Sequence, residues 1–448
     1  MATPRKPTVP TADAIDTFCA RFDDLFSRRE ARQSFRHYLI GLLLPRERNK
    51  TMAVLASLVP GCVRQRLHHF LHDAPWDARA LSARRLALWR EHPTLRPHGR
   101  GVLIVDETGD RKRGHGIPFA AQQYIGKLGF TASGVVSVTT HWTDGTRHVP
   151  LGVKPYWPAS RLPEGKEDPR FRTKPELAWE LIEEAWGAGI PFGVAVADCI
   201  YGENAALEGK LFAAGIGYPL GDVLAIRSNH GVWQFVEDEA HPPAFNPKEA
   251  AERVPLRRWE RVVRHDSHGK ELVHDVAELE LGTAFGPRRE VRLIAATTDP
   301  VKLKKDATWY LITNLPLQEA SAREVYETYC LRDWVEHYYK PAKHELGWAD
   351  DQTRDPEAIV RHWRPVMLAF TFSLLQEAPP AGWVRDEGAG QPVGGEIGAA
   401  HRVAGDAAPG AELAGSLGAD HPLLAGLVKG AAARAGGPPG PCGPLPTP

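Results

Sequence analysis

The chain has 448 residues, and its 55 Lys plus Arg balance 55 Asp plus Glu, so overall charge says nothing about partners. That length predicts two or three domains. Cys19, Cys62, Cys199, Cys330 and Cys442 are scattered without a Cys-x-x-Cys pair, which excludes a disulfide framework and a zinc site.

Charge is uneven along the chain. Residues 1–100 hold 18 basic and 9 acidic residues, a surplus that fits an electrostatic footprint for nucleic acid. Residues 12–92 read as helical. Phe18, Phe22, Leu25 and Phe26 recur at helical spacing, Arg28, Arg29, Arg32 and Arg36 follow, and Pro45, Pro60-Gly61 and Pro75 break the stretch. The start has no signal-peptide core, and Leu39–Leu44 is far too short to span a bilayer. A soluble cytoplasmic protein is expected.

From Val102 the pattern changes to strands. Val102-Leu-Ile-Val-Asp106 is a short apolar run closed by an acid, and Phe192-Gly-Val-Ala-Val-Ala-Asp198 is another. Both read as buried strands. Gly134–His141 alternates as a strand and turns at Asp144-Gly145, a hairpin signal, with Val149–Val153 returning. Lys174–Gly187 reads as a helix. Between Asp198 and Glu336, strand-like runs at 223–227, 259–265, 272–281, 291–297 and 309–313 predict a mainly β insertion. After Leu375 the chain is rich in Gly, Ala and Pro, which predicts a disordered tail. The expected divisions are 1–100 (helical), 101–218 and 319–376 (the two parts of one core), 219–318 (β insertion) and 377–448 (tail).

A third acid lies in Tyr329-Cys-Leu-Arg332-Asp-Trp-Val-Glu336-His-Tyr-Tyr-Lys340-Pro-Ala-Lys343. On a continuous helical wheel of about 100° per residue, Tyr329, Arg332, Glu336 and Lys343 fall within roughly 60°. Glu345, the nearest rival acid, falls on the opposite face, and Pro341 should kink the helix. Two strand-end aspartates and a helix-borne glutamate make three hard oxygen ligands, which suit Mg²⁺ and a substrate phosphate. Arg332 and Lys343 would hold phosphate oxygens, and Tyr329 would donate to one. Glu107 and Asp110 stand close enough to Asp106 to compete for its role. His68, His69 and His72 lack the glutamate of a hydrolytic zinc motif, and Trp309 reads as a core residue.

Several segments in this order resemble the DDE transposases of bacterial insertion sequences. They are Leu103-Ile-Val-Asp106-Glu-Thr-Gly, Gln123-Tyr-Ile-Gly126-Lys-Leu-Gly129, Thr173-Lys-Pro-Glu-Leu-Ala178, Ala197-Asp198-Cys-Ile-Tyr201-Gly202, Trp309-Tyr-Leu-Ile-Thr-Asn314-Leu-Pro316 and the Tyr-x₂-Arg-x₃-Glu-x₆-Lys spacing of Tyr329, Arg332, Glu336 and Lys343. The resemblance runs from about Phe22 to Leu375. It implies an RNase H-like α/β core, a catalytic and metal-binding triad of Asp106, Asp198 and Glu336, and two Mg²⁺ ions, with Mn²⁺ able to substitute. It also implies cleavage and strand transfer at terminal inverted repeats of double-stranded DNA by a homodimer. The basic helical N-terminal unit would bind those repeats. A hydrolytic nuclease of the same fold, or an inactive DNA-binding remnant, are the alternatives.

Overall fold

A computed structural model describes residues 12–45, 48–112, 116–217, 220–233, 244–265, 270–279, 282–283 and 290–377. The tail expected over 377–448 lies, beyond Glu377, outside the described residues.

The stretch read as helical is five helices: α1 (Ala12–Ala20), α2 (Arg29–Leu43), α3 (Met52–Leu58), α4 (Arg64–His72) and α5 (Ala78–Arg90). The three prolines fall in the breaks between them. On α2, Phe35, Tyr38, Leu39 and Leu42 repeat at helical spacing and are buried, the one-sided stripe that makes a helix dock. The Asp77 carboxylate caps α5 by accepting the Arg79 N–H at 2.7 Å. These helices pack against α12 (Pro356–Glu377), the last described helix, which touches α2, α4 and α5.

The strands are β1 (Val102–Arg111), β2 (Ala121–Ile125), β3 (Phe130–Thr143) and β4 (His148–Pro155). The expected hairpin joins β3 to β4, with Gly145 at a φ of 83° that favours glycine. Then come α6 (Lys174–Gly187), β5 (Val194–Ala197), the single turn α7 (Cys199–Gly202), α8 (Ala205–Gly217) and β6 (Gly221–Ile226). Helix α6 begins with a Thr173/Glu176 capping box and Pro175 in its first turn. Gly202 is required by close packing: a Cβ there would lie 2.1 Å from the Ala225 carbonyl oxygen.

The remaining strands are β7 (Val232–Trp233), β8 (Ala244–Phe245), β9 (Glu260–His265), β10 (Glu271–Glu278), β11 (Gly282–Thr283), β12 (Glu290–Thr297) and β13 (Thr308–Thr313), with the short helix α9 (Pro247–Glu252) among them. They join the earlier strands in one mixed sheet, ordered β2-β3-β1-β5-β6-β13-β12-β11-β7-β8 among the described residues. β4 pairs with β3, β10 with β12, and β9 with β10. The strands expected between the second and third acids are therefore real. They extend the sheet of the first two acids, β6 pairing parallel with β5 and β13 antiparallel with β6.

Alternation along β1 divides the interior. Val102 and Ile104 face a core shared with α2, α4 and α12, whereas Leu103 and Val105 face one shared with α6 and β6. All four are at most 2% exposed, and each such burial stabilises by roughly 1.5–3 kcal/mol. Among the described residues, no helix is long and apolar enough to cross a membrane.

Candidate active site

β1 and β5 run parallel, and Val105 pairs with Ala197. The next residues, Asp106 and Asp198, therefore stand at the same level on adjacent strands. Asp198 follows the end of β5 as expected, whereas Asp106 is not at a strand end, because pairing with β3 carries β1 on to Arg111. Asp106 is 5% exposed. Its Oδ1 accepts the Glu107 N–H at 2.8 Å and the Arg332 Nη2 at 3.0 Å. Asp198 caps α7, its Oδ1 accepting the Ile200 N–H at 3.0 Å. Its Oδ2 lies 3.6 Å from the same Arg332 Nη2. One guanidinium thus bridges two carboxylates. Burial pushes the Asp106 carboxyl up to about 6; Arg332 opposes that rise and Asp198 adds to it. Burial alone would weaken the Arg332 charge, but Asp106, then Tyr329 and Asp198, overcome it and hold the guanidinium protonated.

The segment carrying Arg332 is not one continuous α-helix. It is α10 (Ala322–Cys330), a 3₁₀ turn over Leu331–Val335, and α11 (Glu336–His344). The wheel needs correction there, because a 3₁₀ turn advances about 120° per residue, not 100°. Arg332 reaches the aspartate pair, and Tyr329 lies near enough to feel the charges of Arg332 and Asp198. Tyr329 is 9% exposed, and burial raises its hydroxyl pKa well above the usual range. Glu336 is exposed at the first position of α11. The buried Tyr339, one turn on, feels the charge of both Asp106 and Glu336. Lys343 is buried, its Nζ 2.8 Å from Asp110 Oδ1 and donating to the Gly109 carbonyl at 3.0 Å. Glu345 is half-buried just past the end of α11, where its N–H returns to the Pro341 carbonyl.

The strand decides between the neighbouring acids. Glu107 points to the opposite sheet face from Asp106 and pairs with Lys174 of α6 at 2.7 Å. Asp110 shares the Asp106 face but is paired with Lys343. Only Asp106 faces a second carboxylate across an adjacent strand. Two like charges at one level fit a divalent cation by donor chemistry: hard oxygens, each with lone pairs remaining. Among the described residues, no three His, Cys, Asp or Glu side chains converge tightly enough to enclose a metal, so the aspartate pair is in place and Glu336 does not close a cage around it. Sequence reasoning gave no role to Tyr201, Thr139 and Tyr339. Tyr201 is fully buried with an unpartnered hydroxyl, and burial, then Glu107, Asp106 and Asp198, raise its pKa. Its place directly after Asp198-Cys-Ile was the available signal.

The other expected residues lie apart. Arg28 and Arg29 are exposed at the start of α2, Arg32 is half-buried, and Arg36 is tied to Asp16 of α1 at 3.0 Å. His68 and His72 stack at 4.0 Å, and His72 Nδ1 lies 3.5 Å from Asp355. Trp309 is half-buried and packs edge-on to His274 at 5.2 Å.

Comparison with known proteins bears on this geometry. The family described as DDE superfamily endonuclease matches residues 21–274, a span that includes Asp106 and Asp198 and ends before Glu336. The chain is also 34% identical over 367 residues to a protein of Microchaete diplosiphon named "Probable transposase for insertion sequence element IS701". That alignment covers 81% of this chain and 88% of the relative.

Proposed function

Because this chain belongs to the DDE superfamily of endonucleases, we propose that Asp106, Asp198 and Glu336 are its catalytic and metal-binding triad. The enzyme is a DNA transposase, and its superfamily uses divalent cations. The finer reading has Mg²⁺, two ions, and cleavage followed by strand transfer at the ends of an insertion sequence. One observation carries it: Asp106, within β1, and Asp198, just past the end of the adjacent parallel β5, lie side by side, and a single guanidinium spans them. When bound, divalent ions would supply charge neutralisation at the attacking and leaving oxygens of an in-line displacement.

The chain's own residues do the rest. Asp106 and Asp198 supply the fixed ligands. Glu336 approaches from the helical side, borne by the segment that also brings Arg332. Turned outward from the carboxylates, Arg332 would grip phosphate oxygens bidentately, and Tyr329 would donate to another. Lys343 begins from its pair with Asp110 and would act as a point charge. An RNase H-like core is supported by the order β4-β3-β1-β5-β6, in which β3 alone runs antiparallel to β1 while β5 and β6 run parallel to it. Work on double-stranded DNA in the cytoplasm, by a dimer on terminal inverted repeats, completes the reading.

The test is divalent-dependent nicking of a terminal-repeat duplex by two glutamate variants. Glu336→Gln should lose nicking by about a thousandfold or more, and Glu345→Gln should stay within about threefold of wild type. The reverse ranking would move the third ligand to Glu345.

The α2 arginines have a separate readout. Neutralising Arg28, Arg29 and Arg32 together should flatten the dependence of log K on log salt by about one to three units, at roughly 0.9 per lost phosphate contact. Arg36, engaged with Asp16, should contribute less. Fluorescence anisotropy over a salt series measures this. Unchanged slope and affinity would place the DNA surface elsewhere.

A further inference from the structure

We propose that Thr139 is the positioning residue that fixes the strand carrying Asp106 against the helix carrying Glu336. This deepens the triad reading and rests on it. Thr139 lies on β3 directly opposite Asp106, on the same sheet face, and is fully buried. Its Oγ1 meets three partners: the Asp106 carbonyl at 3.3 Å, the Tyr339 hydroxyl, and His141 Nε2 at 2.9 Å. Beyond His141, its Nδ1 meets His148 Nε2 at 3.1 Å, and His148 Nδ1 has no partner.

Donor and acceptor counting fixes every proton in this chain. A carbonyl only accepts, so Thr139 spends its one proton on Asp106. Its oxygen must then accept from Tyr339 and from His141 Nε2–H. His141, with its proton on Nε2, accepts at Nδ1 from His148 Nε2–H. That leaves His148 Nδ1 as a bare acceptor, the unpartnered atom observed. Both rings are then neutral, as their burial requires: it pushes His141 down to about 3 and His148 well below its usual value. The hydroxyl of Thr139 is saturated, one bond to the catalytic strand and one to α11 a single turn beyond Glu336. No other side chain among the described residues is seen to bond both the Asp106 backbone and α11. Two acids on different elements must be held to a fraction of an ångström to share an ion, so such a tie acts on metal affinity and turnover, and not on DNA binding.

The full-length protein is tested with Thr139→Val, which keeps the branched shape and removes the hydroxyl, and Thr139→Ser, which restores it. Mn²⁺ affinity is read by electron paramagnetic resonance, and kcat and KM by nicking of a terminal-repeat duplex. Thr139→Val should lower kcat and Mn²⁺ affinity by about tenfold to a hundredfold each with KM for DNA unchanged. Thr139→Ser should return both to within about threefold of wild type. Tyr339→Phe removes the same bond from the other end and should fall in the same direction, which keeps the test open if Thr139→Val does not fold. A folded Thr139→Val or Tyr339→Phe that loses only melting temperature, with kcat and Mn²⁺ affinity intact, overturns the proposal. Asp106→Asn separates the two levels. If it nicks at the wild-type rate the triad itself fails; if it is inactive while Thr139→Val is normal, only the positioning role fails.

Discussion

Asp106→Asn, Asp198→Asn and Glu336→Gln are each expected to cut nicking of a terminal-repeat duplex by at least about a thousandfold, equivalent to about 4 kcal/mol of transition-state stabilisation. Binding to the same duplex should persist, because the phosphate contacts proposed for α2 lie on other elements. Asp106→Asn carries a second, opposite effect. In the metal-free protein the Asp106 carboxyl titrates at about 6, against an ordinary value of 3.8. The folded state therefore holds the proton more tightly than the unfolded state. That contribution is full below about 3.8 and is lost as pH rises through about 6. At neutral pH the ionised Asp106 is thus a destabilising group, by roughly 1–3 kcal/mol. Asparagine keeps an acceptor for the Glu107 N–H and drops the charge. The inactive variant should melt a few degrees higher than the wild type without metal. Full nicking by any of the three would remove that residue from the triad. An unchanged or lower melting temperature for Asp106→Asn would show that the aspartate pair is not under electrostatic strain.

Much of this arrangement is legible in the sequence because its signals are local. Val102–Val105 and Val194–Ala197 are apolar runs closed by acids, and each forms buried strand at the site, although β1 continues past Asp106 to Arg111 and only β5 ends there. The Asp144-Gly145 turn and the α6 capping box are equally local. What escapes is tertiary. No glycine or proline marks the change to a 3₁₀ turn at Leu331–Val335. The feature that accompanies it is Arg332 seated on Asp106, 226 positions away in the chain. The runs between Asp198 and Glu336 alternate as strands should, yet alternation does not say which strand pairs with which, so they read as an insertion although β6 and β13 continue the sheet. Thr139 was invisible for the same reason. A threonine inside Val-Val-Ser-Val-Thr-Thr-His is ordinary strand composition, and its role comes only from facing Asp106 across one strand and Tyr339 across one layer.

The same buried histidines predict acid lability. His141 falls to about 3 and His148 well below its ordinary 6.5, in each case chiefly through burial. The buried cation Arg85 lowers His141 further, and His141 and His337 lower His148. His362, borne on α12 and buried against Tyr38 of α2, is lowered in the same sense. These folded values lie below the unfolded one, so the unfolded chain takes up protons first as pH falls. The stability they protect is full above about 6.5 and is lost below it, at roughly 1.4 kcal/mol per pH unit for each histidine. Asp106 works against this between about 6 and 3.8. With His141 and His148 alone set against it, the net loss by pH 5 is roughly 3 kcal/mol, a substantial share of the 5–15 kcal/mol usual for a folded domain. Protonating His141 would also set a new Nδ1–H against His148 Nε2–H, two donors face to face, and break the chain that ends at Thr139. Urea denaturation of the metal-free protein between pH 7.5 and pH 5 measures the slope, with about one proton's worth expected from about pH 6 down to pH 5 and less than one above about pH 6.5. His148→Asn should reduce that slope by about one proton, and Asp106→Asn should steepen it below pH 6 by the same amount. A stability that stays flat from pH 7.5 to 5.5 would mean that these rings accept protons in the folded state, and that the donor order from His148 to Asp106 is wrong.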